Sequence, residues 1–265
     1  MLSYYVAGNP EKPLVVLVHG VCDASTTWVD TINHLKSDYL VIALDSLGHG
    51  TSPRYQPAEL PEPAVAGERE LEETLEFLEE TYGKTVAVVA HSMGAAMVSE
   101  LSTRRPDLFR GLILEDPAWL SDTQKQGYLD RRHDQVELSQ MWRGDPLQTL
   151  VGNLELRPHW NAASHFGWAF AKALVDPALL EVGIVSFTRP WQEVAAELSV
   201  PTTVITSDTD EVLVGLDGAK TIREVGNPAL KVEIIPGQDH ALRLGAPQAF
   251  FAVLDRDLAT FPAFA

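Results

Sequence analysis

The chain has 265 residues, of which 45% are hydrophobic and 22% are charged, and its formal net charge is −17. This length and composition predict a packed globular protein with one large domain, with or without an insertion. A phosphate backbone or an anionic membrane surface would repel so acidic a chain, which argues against nucleic acid or a membrane as its partner. Cys22 is the single cysteine, which excludes an intrachain disulfide.

The N-terminal residues show no basic stretch followed by an apolar run, as a signal peptide would. Apolar segments all fall well short of the roughly 20 residues that a membrane-spanning helix needs. The sequence therefore predicts a soluble, cytoplasmic protein.

Short apolar segments rich in β-branched residues alternate with helical patterns along the chain. Their nearly continuous apolarity is typical of strands that are covered on both faces. The predicted strands are 14–18, 39–44, 85–90, 112–114, 202–206 and 231–235. The alternation predicts an α/β fold with a doubly wound, mostly parallel sheet, and residues 4–7 could add an antiparallel edge strand.

One long segment breaks this alternation. Residues from about 118 to 198 contain no good strand and are rich in Trp, His and Arg. A structureless loop of that length is implausible in a compact domain. We therefore predict a helical cap, or lid, at 118–198, inserted into a core formed by 1–117 and 199–265.

Ser92 stands where a predicted strand gives way to a helical pattern. The small neighbours Ala90, Gly94 and Ala95 suit a tight strand-to-helix turn, which exposes the hydroxyl beside the helix N-terminus. An ordinary N-cap serine is the competing interpretation. Because a constrained turn and a nearby base make a serine reactive, we predict Ser92 as a nucleophile.

Later strand ends supply candidates for a base and an acid. His240 follows the last predicted strand, and we predict it as the base, although it could be an ordinary loop histidine. Asp210 follows the strand before, where a buried carboxylate would orient the imidazole and stabilise the imidazolium. Asp208 is the close rival of Asp210 and Glu211 a weaker one, and Asp116 would serve if the chain looped differently.

The resulting order of serine, aspartate and histidine is that of α/β-hydrolases. The chain resembles this superfamily, which includes small esterases, lactonases, cofactor-free haloperoxidases and epoxide hydrolases. Two positions depart from the usual pattern, since Ala90 replaces the first glycine of Gly-x-Ser-x-Gly and Ser207 stands where glycine is common. The matching motifs are VVLVHG (15–20), ALDSLGHGTS (43–52), VVAHSMGAA (88–96), LILEDP (112–117), SDTDEVL (207–213) and PGQDHAL (236–242).

The resemblance implies an oxyanion hole made by the backbone N–H groups of Val21 and Met93. It implies no cofactor, and the absence of a Cys/His cluster with zinc spacing predicts no metal. A serine nucleophile also argues against epoxide hydrolase and haloalkane dehalogenase chemistry, in which an aspartate forms an ester that water then opens. Acyl transfer is the reaction that suits Ser92.

Aromatic residues of the predicted cap are candidates for the substrate pocket, although each could equally belong to the core of the cap. As a set they predict a small, mainly apolar substrate. The leading hypothesis is a serine hydrolase, of carboxylesterase type, that cleaves an ester or lactone through an acyl-enzyme on Ser92. A C–C bond hydrolase or cofactor-free lyase with the same triad, and a ligand-binding relative with low turnover, are the alternatives. The pocket candidates are Trp119, Trp142, His159, Trp160 and Trp168.

Overall fold

The computed structural model describes residues 1–262 and contains one seven-stranded sheet. Six strands run parallel, and β1 pairs antiparallel with β3 at one edge. The spatial order is β1-β3-β2-β4-β5-β6-β7. The strands are β1 (Tyr4–Ala7), β2 (Leu14–Val18), β3 (Leu40–Leu44), β4 (Val86–His91), β5 (Phe109–Glu115), β6 (Thr202–Thr206) and β7 (Leu230–Ile234).

Both faces of the central sheet are buried, which explains why its strands read as continuous apolar runs. Successive side chains of a strand point to opposite faces. Val16 and Val88 therefore join the apolar layer on one face, while Val15 and Val89 join the layer on the other. Only β1 and β7, at the two edges, are partly exposed along their length. The predicted mostly parallel sheet and antiparallel edge strand are confirmed.

Helices cover both faces of the sheet. The helices of the core are α1 (Val29–Leu35), α2 (Pro63–Tyr82), α3 (Ser92–Arg104), α10 (Gly215–Val225), α11 (Leu242–Gly245) and α12 (Pro247–Leu258). Between β5 and β6 come α4 (Asp122–Asp130), α5 (Arg132–Gly144), α6 (Pro146–Leu156), α7 (Ala162–Lys172), α8 (Pro177–Val182) and α9 (Trp191–Glu197). Among residues 1–262, no helix combines the length and apolar character that crossing a bilayer requires.

One of the contacts between the β5–β6 segment and the core is made by α7. This helix packs against α1 and the short 3₁₀ helix Ser25–Trp28. Contact is close because Gly167 has no side chain: a Cβ there would lie 2.1 Å from the carbonyl oxygen of Thr26. Within the same segment, α9 instead packs against α3 and α10, two helices of the core.

The sheet register places two strand ends side by side. In the β4–β5 pair, His91 is the partner of Glu115. Ser92 and Asp116 therefore follow directly on neighbouring parallel strands, at the carboxyl edge where open α/β sheets bind ligands.

Candidate active site

Ser92 occupies a sharp turn between β4 and α3. Its φ of 52° lies in the left-handed region, which is unusual for a residue with a side chain and marks a strained turn. Small neighbours are required here. A Cβ on Gly94 would lie 2.4 Å from the carbonyl oxygen of His19, and a Cβ on Gly20 would lie 2.9 Å from the Cβ of Ser92. The predicted strand-to-helix turn at Ser92 is thus present.

His240 lies on the loop that follows β7 and lines the same cavity as Ser92. Its Nδ1 lies 2.5 Å from Oδ2 of Asp116, so the two groups share a hydrogen bond that is shorter than usual. This contact assigns the proton to Nδ1 and leaves Nε2 with a lone pair. A nitrogen in that state can accept a proton from a serine hydroxyl.

Asp116 is fully buried and receives several hydrogen bonds besides that of His240. The backbone N–H of Leu213 donates to Oδ2 at 2.8 Å, while the hydroxyl of Thr206 donates to Oδ1 at 2.8 Å and the N–H of Val214 to Oδ1 at 3.1 Å. Burial raises the pKa of this carboxyl group, but its hydrogen bond to His240 and these donors outweigh burial and hold the pKa below its ordinary value. Asp116 is therefore a carboxylate at neutral pH.

The expectation that Asp210 would pair with His240 is wrong in this structure, and so is the rival Asp208. Asp210 is exposed on the loop after β6 and does not line the cavity. The decisive factor is position in the sheet. Asp116 follows β5, the direct neighbour of β4, whereas Asp208 and Asp210 follow β6, one strand further away.

The loop after β6 has a different task, which is to hold the segment that carries His240. Oδ1 of Asp208 accepts the N–H of Gly237 at 2.7 Å. Oγ of Ser207 accepts the N–H of Gln238 at 2.9 Å, and the hydroxyl of Thr209 donates to the carbonyl of Gln238 at 2.6 Å. Ser207, at the position where the family motif favours glycine, is thus part of this support.

The two predicted oxyanion donors lie beside the serine. Met93 is the second residue of α3, so its N–H has no partner within the helix. Val21 lines the cavity, and its N–H has no hydrogen-bond acceptor within residues 1–262. Cys22 follows it in a left-handed conformation with φ of 61°. Burial raises the pKa of the Cys22 thiol to about 11, so it is protonated at neutral pH and a poor nucleophile.

A cavity of about 280 Å³ contains Ser92 and His240. Residues of the β5–β6 segment form one wall of it, and loops at the carboxyl edge of the sheet form the other. The lining residues are Val21, Asp23, His91, Ser92, Tyr128, Arg157, Trp160, Trp168, Lys172, Glu211, Asp239, His240, Ala241 and Leu244.

The five aromatic and histidine candidates for the pocket divide into two groups. Trp160 and Trp168 line the cavity, as predicted. For the other three the structure contradicts the prediction. Trp119 is buried in the core, where its Nε1–H donates to Oγ of Ser99, Trp142 lies behind Trp168, and His159 is exposed outside the cavity.

The cavity, for which the sequence predicted a small, mainly apolar substrate, also carries charged side chains. Five charged side chains reach its wall in addition to His240. Arg157 lies over the ring of Trp160 at 5.0 Å, and its Nε is 3.5 Å from Oδ2 of Asp239, next to His240. A substrate would therefore meet both aromatic surface and hydrogen-bonding groups.

A cluster of buried charges, two of which line the cavity, was missed by sequence reasoning. The carboxylate of Asp23 lies 2.8 Å from Nζ of Lys172 and 3.2 Å from Nη2 of Arg243. Nη1 of Arg243 in turn lies 2.7 Å from Oε2 of Glu115, the residue before Asp116. Charged residues are seldom fully buried unless they are paired, but no local pattern identifies partners so far apart in the chain.

His91 connects that cluster to the candidate base. Its Nε2–H donates to the carbonyl of His240 at 3.1 Å, and the two rings lie 4.6 Å apart. Its Nδ1 is 3.6 Å from Oδ2 of Asp23. Burial lowers the pKa of His91, so a neutral ring holds the backbone of His240 in place.

Comparison with known proteins gives a family match over most of the chain. The model of the alpha/beta hydrolase family matches residues 15–253. The solved structure of E-2-(acetamidomethylene)succinate hydrolase has a TM-score of 0.77 at 17% identity and covers 98% of this chain and 95% of that one. At that identity the likeness shows the fold alone.

Two plant proteins are similar along almost their whole length. A probable esterase of Oryza sativa subsp. japonica is 25% identical over 263 residues, which are 96% of this chain and 94% of that protein. The karrikin insensitive 2 receptor IA of Petunia hybrida is 25% identical over 265 residues, with 98% and 94% coverage. The first is named as an enzyme and the second as a receptor.

Proposed function

Because the chain belongs to the alpha/beta hydrolase family, we propose that it is a serine hydrolase that cleaves a small carboxylic ester or lactone. Ser92 is the nucleophile, His240 the base and Asp116 the acid that orients the base. The observation that carries this proposal is the hydrogen bond from His240 to the buried Asp116, in a cavity that also contains the strained Ser92.

Acylation begins when Oγ of Ser92 attacks the carbonyl carbon and its proton moves to Nε2 of His240. The carbonyl oxygen becomes an oxyanion, and the N–H groups of Met93 and Val21 stabilise it. Such preorganised donors each contribute about 10²–10³ to turnover. As the intermediate collapses, the bond to the leaving oxygen breaks, and His240 returns its proton to that oxygen.

Deacylation uses the same groups in the same order. A water molecule attacks the acyl carbon while Nε2 of His240 takes one of its protons. The bond between the acyl carbon and Oγ of Ser92 then breaks, and the serine recovers the proton from His240. Asp116 stays ionised throughout and stabilises the imidazolium that forms in each step.

The shape and lining of the cavity support a substrate of modest size. A volume of about 280 Å³ lies just below the usual range for small-molecule sites. Trp160 and Trp168 offer flat apolar contact, whereas Arg157 offers donors to oxygen atoms. We propose a compact ester or lactone with an apolar part and at least one further polar group.

Ester turnover is the direct test. The protein should hydrolyse p-nitrophenyl acetate or butyrate and should react with a fluorophosphonate at Ser92, as mass spectrometry of the labelled peptide would show. Ser92→Ala should abolish both reactions. Ser121→Ala, which alters an exposed N-cap serine on α4, is the matched control and should retain both. Full turnover by Ser92→Ala would refute the assignment.

A ligand-binding protein with slow turnover is the second candidate, and the similarity to a plant receptor over 98% of this chain favours considering it. Such a protein would still be labelled by the fluorophosphonate, because its serine would be reactive. Its ester turnover would stay near the background rate, while a ligand from a lactone library would raise its melting temperature. Multiple turnovers at rates far above background would instead support the enzyme.

A further inference from the structure

Cys22 is held in an unfavourable backbone conformation beside a proposed oxyanion donor. Its φ of 61° is one of only three left-handed values at non-glycine residues between 1 and 262. A non-glycine residue in this region is strained and persists only when its surroundings hold it there. The contacts on either side of Cys22 therefore determine the path of the loop that presents the N–H of Val21.

Two buried side chains hold the peptide groups on either side of Cys22. The N–H of Cys22 donates to Nε2 of His49 at 3.2 Å, and Nδ1–H of His49 donates to the carbonyl of Leu47 at 2.9 Å. Burial lowers the pKa of His49 to about 3, so its ring is neutral and Nε2 can accept. On the other side, Nζ of Lys172 donates to the carbonyl oxygen of Cys22 at 3.0 Å.

Lys172 lies in a different part of the chain from His49, which holds the other side of this loop. It is the last residue of α7, in the segment between β5 and β6, whereas Cys22 and His49 belong to the core. Its side chain is 9% exposed and its ammonium group lies 4.8 Å from the ring centre of Trp168. A second bond to Asp23 at 2.8 Å fixes its position.

Asp23 can hold the lysine because it is itself an anion. Burial raises the pKa of this carboxyl group, but the charges of Lys172 and Arg243 outweigh burial and hold the pKa well below its ordinary value. The backbone N–H of Asp23 also donates to the carbonyl of Gly20 at 3.1 Å, which closes the turn around Val21.

We propose that Lys172 is a positioning residue that fixes the oxyanion loop and makes its geometry depend on the seating of α7. The lysine does not react with the substrate. It holds the carbonyl of Cys22 and so fixes the turn from Gly20 to Asp23, which contains the Gly20–Val21 peptide whose N–H is the proposed donor. The loop would relax when α7 lifts away, because Cys22 would lose the contact that opposes its strain. This inference rests on the proposed function only for its catalytic consequence.

Lys172→Met is the main test, because methionine keeps an unbranched apolar chain but cannot donate a hydrogen bond. We expect the kcat for p-nitrophenyl acetate, per site titrated with fluorophosphonate, to fall by about 10²-fold, as for loss of an oxyanion donor. KM should change little. Lys172→Arg, which can still donate to the carbonyl of Cys22, should recover a large part of the lost kcat. The matched control is Lys220→Met, at a lysine that is 74% exposed, and it should match the parent protein.

Thiol labelling gives a readout that needs no catalysis, since Cys22 is the single cysteine. Ellman's reagent should modify the parent protein slowly and Lys172→Met at least about tenfold faster, because the loop opens. Removing the ammonium group also makes the thiolate less favourable, so electrostatics alone would slow the reaction. Faster labelling therefore reports movement of the loop.

A second variant covers the case in which Lys172→Met does not fold. Lys172→Met combined with Asp23→Asn removes both charges of the pair and should show the same faster labelling. Unchanged labelling in a folded variant would overturn the proposal. So would a defect confined to the KM of a carboxylate-bearing ester such as p-nitrophenyl hemisuccinate, because lysine would then be binding substrate. If the parent protein has no esterase activity, the proposed function fails, while the labelling rates still test the role of Lys172.

Discussion

The ends of β5 and β6 look alike in sequence but have different roles in the structure. Both strands run into acidic residues at the carboxyl edge of the sheet. At the end of β5, Asp116 is fully buried and bonded to His240. At the end of β6, Asp208 and Asp210 are exposed, and Asp208 bonds to the backbone of Gly237.

The difference shows that the ability of a strand-end carboxylate to pair with the imidazole depends on the hydrogen-bond donors around that carboxylate. Asp116 receives N–H groups from Leu213 and Val214, which belong to the loop after β6. The loop after β6 therefore donates backbone N–H groups to Asp116 and does not itself supply the carboxylate that bonds to His240. An aspartate with its side chain in water would gain little from the same imidazole, because exposed ion pairs contribute only about 0–1 kcal/mol.

Replacing the aspartate at each strand end by asparagine should give the largest difference in kcat between two variants. Asp116→Asn should lower kcat for p-nitrophenyl acetate by about 10⁴-fold, because an amide cannot stabilise the imidazolium and favours the wrong tautomer. Asp210→Asn should leave kcat within about twofold of the parent enzyme. Steady-state kinetics on both variants would check this, and the reverse ranking would restore Asp210 as the acid.

Acid should weaken the protein through Asp116. The pKa of this group is lower in the folded than in the unfolded chain, so its stabilisation is present above the unfolded value of about 3.9 and is lost as pH falls from there through the folded value. Urea unfolding between pH 3 and pH 7 should show that Asp116→Asn is the less stable protein at pH 7. The gap to the parent should narrow below pH 4. A gap that stays constant with pH would contradict the account.

Removing one neutral donor should have a smaller effect. Thr206→Val keeps the shape of the side chain but removes the hydroxyl that donates to Oδ1 of Asp116 and accepts the N–H of Gly215. We expect a loss of about 1–3 kcal/mol in unfolding free energy, because buried polar groups lose a partner. A fall of a few-fold in kcat should accompany it. Thr221→Val, at a half-buried threonine on α10 that lies away from Asp116 and bonds to the carbonyl of Asp217, is the control.

The smallest effect on stability and kcat is expected at Asp208, an exposed side chain that supports the loop carrying His240. Asp208→Ala removes the acceptor of the Gly237 N–H, a bond whose loss should cost about 0.5–1.5 kcal/mol. Thermal unfolding should show a small drop in melting temperature, with kcat nearly unchanged. A loss of turnover as large as that of Asp116→Asn would mean that the end of β6 takes part in the chemistry.

The positions of Ser92 and His240 at the cavity could be predicted from sequence because their signals are local. Ser92 needs small neighbours within a few residues, and His240 directly follows the last strand. The acid had no such signal. The apolar run predicted β5 only as far as Leu114, whereas the strand continues to Glu115 and leaves Asp116 at its immediate end.

Pairing between residues that are distant in the chain also explains the other points at which the structure differs from the sequence-based predictions. The contact of Lys172 with Asp23 joins positions 149 residues apart, and that of Arg243 with Glu115 joins positions 128 residues apart. Trp119 belongs to the aromatic set of the β5–β6 segment, but a bond to Ser99 and stacking on Trp191 place it in the core. Composition cannot separate such a core residue from a pocket residue.

By itself, the sequence determined the parallel sheet, the serine turn and the strand end that carries the histidine, since each depends on patterns within about ten residues. The tertiary structure decided which carboxylate meets the imidazole, which aromatic rings reach the cavity and which buried charges pair with one another. Those choices depend on strand register and on the packing of α7, because a buried charge is stable only where partners from distant segments meet it.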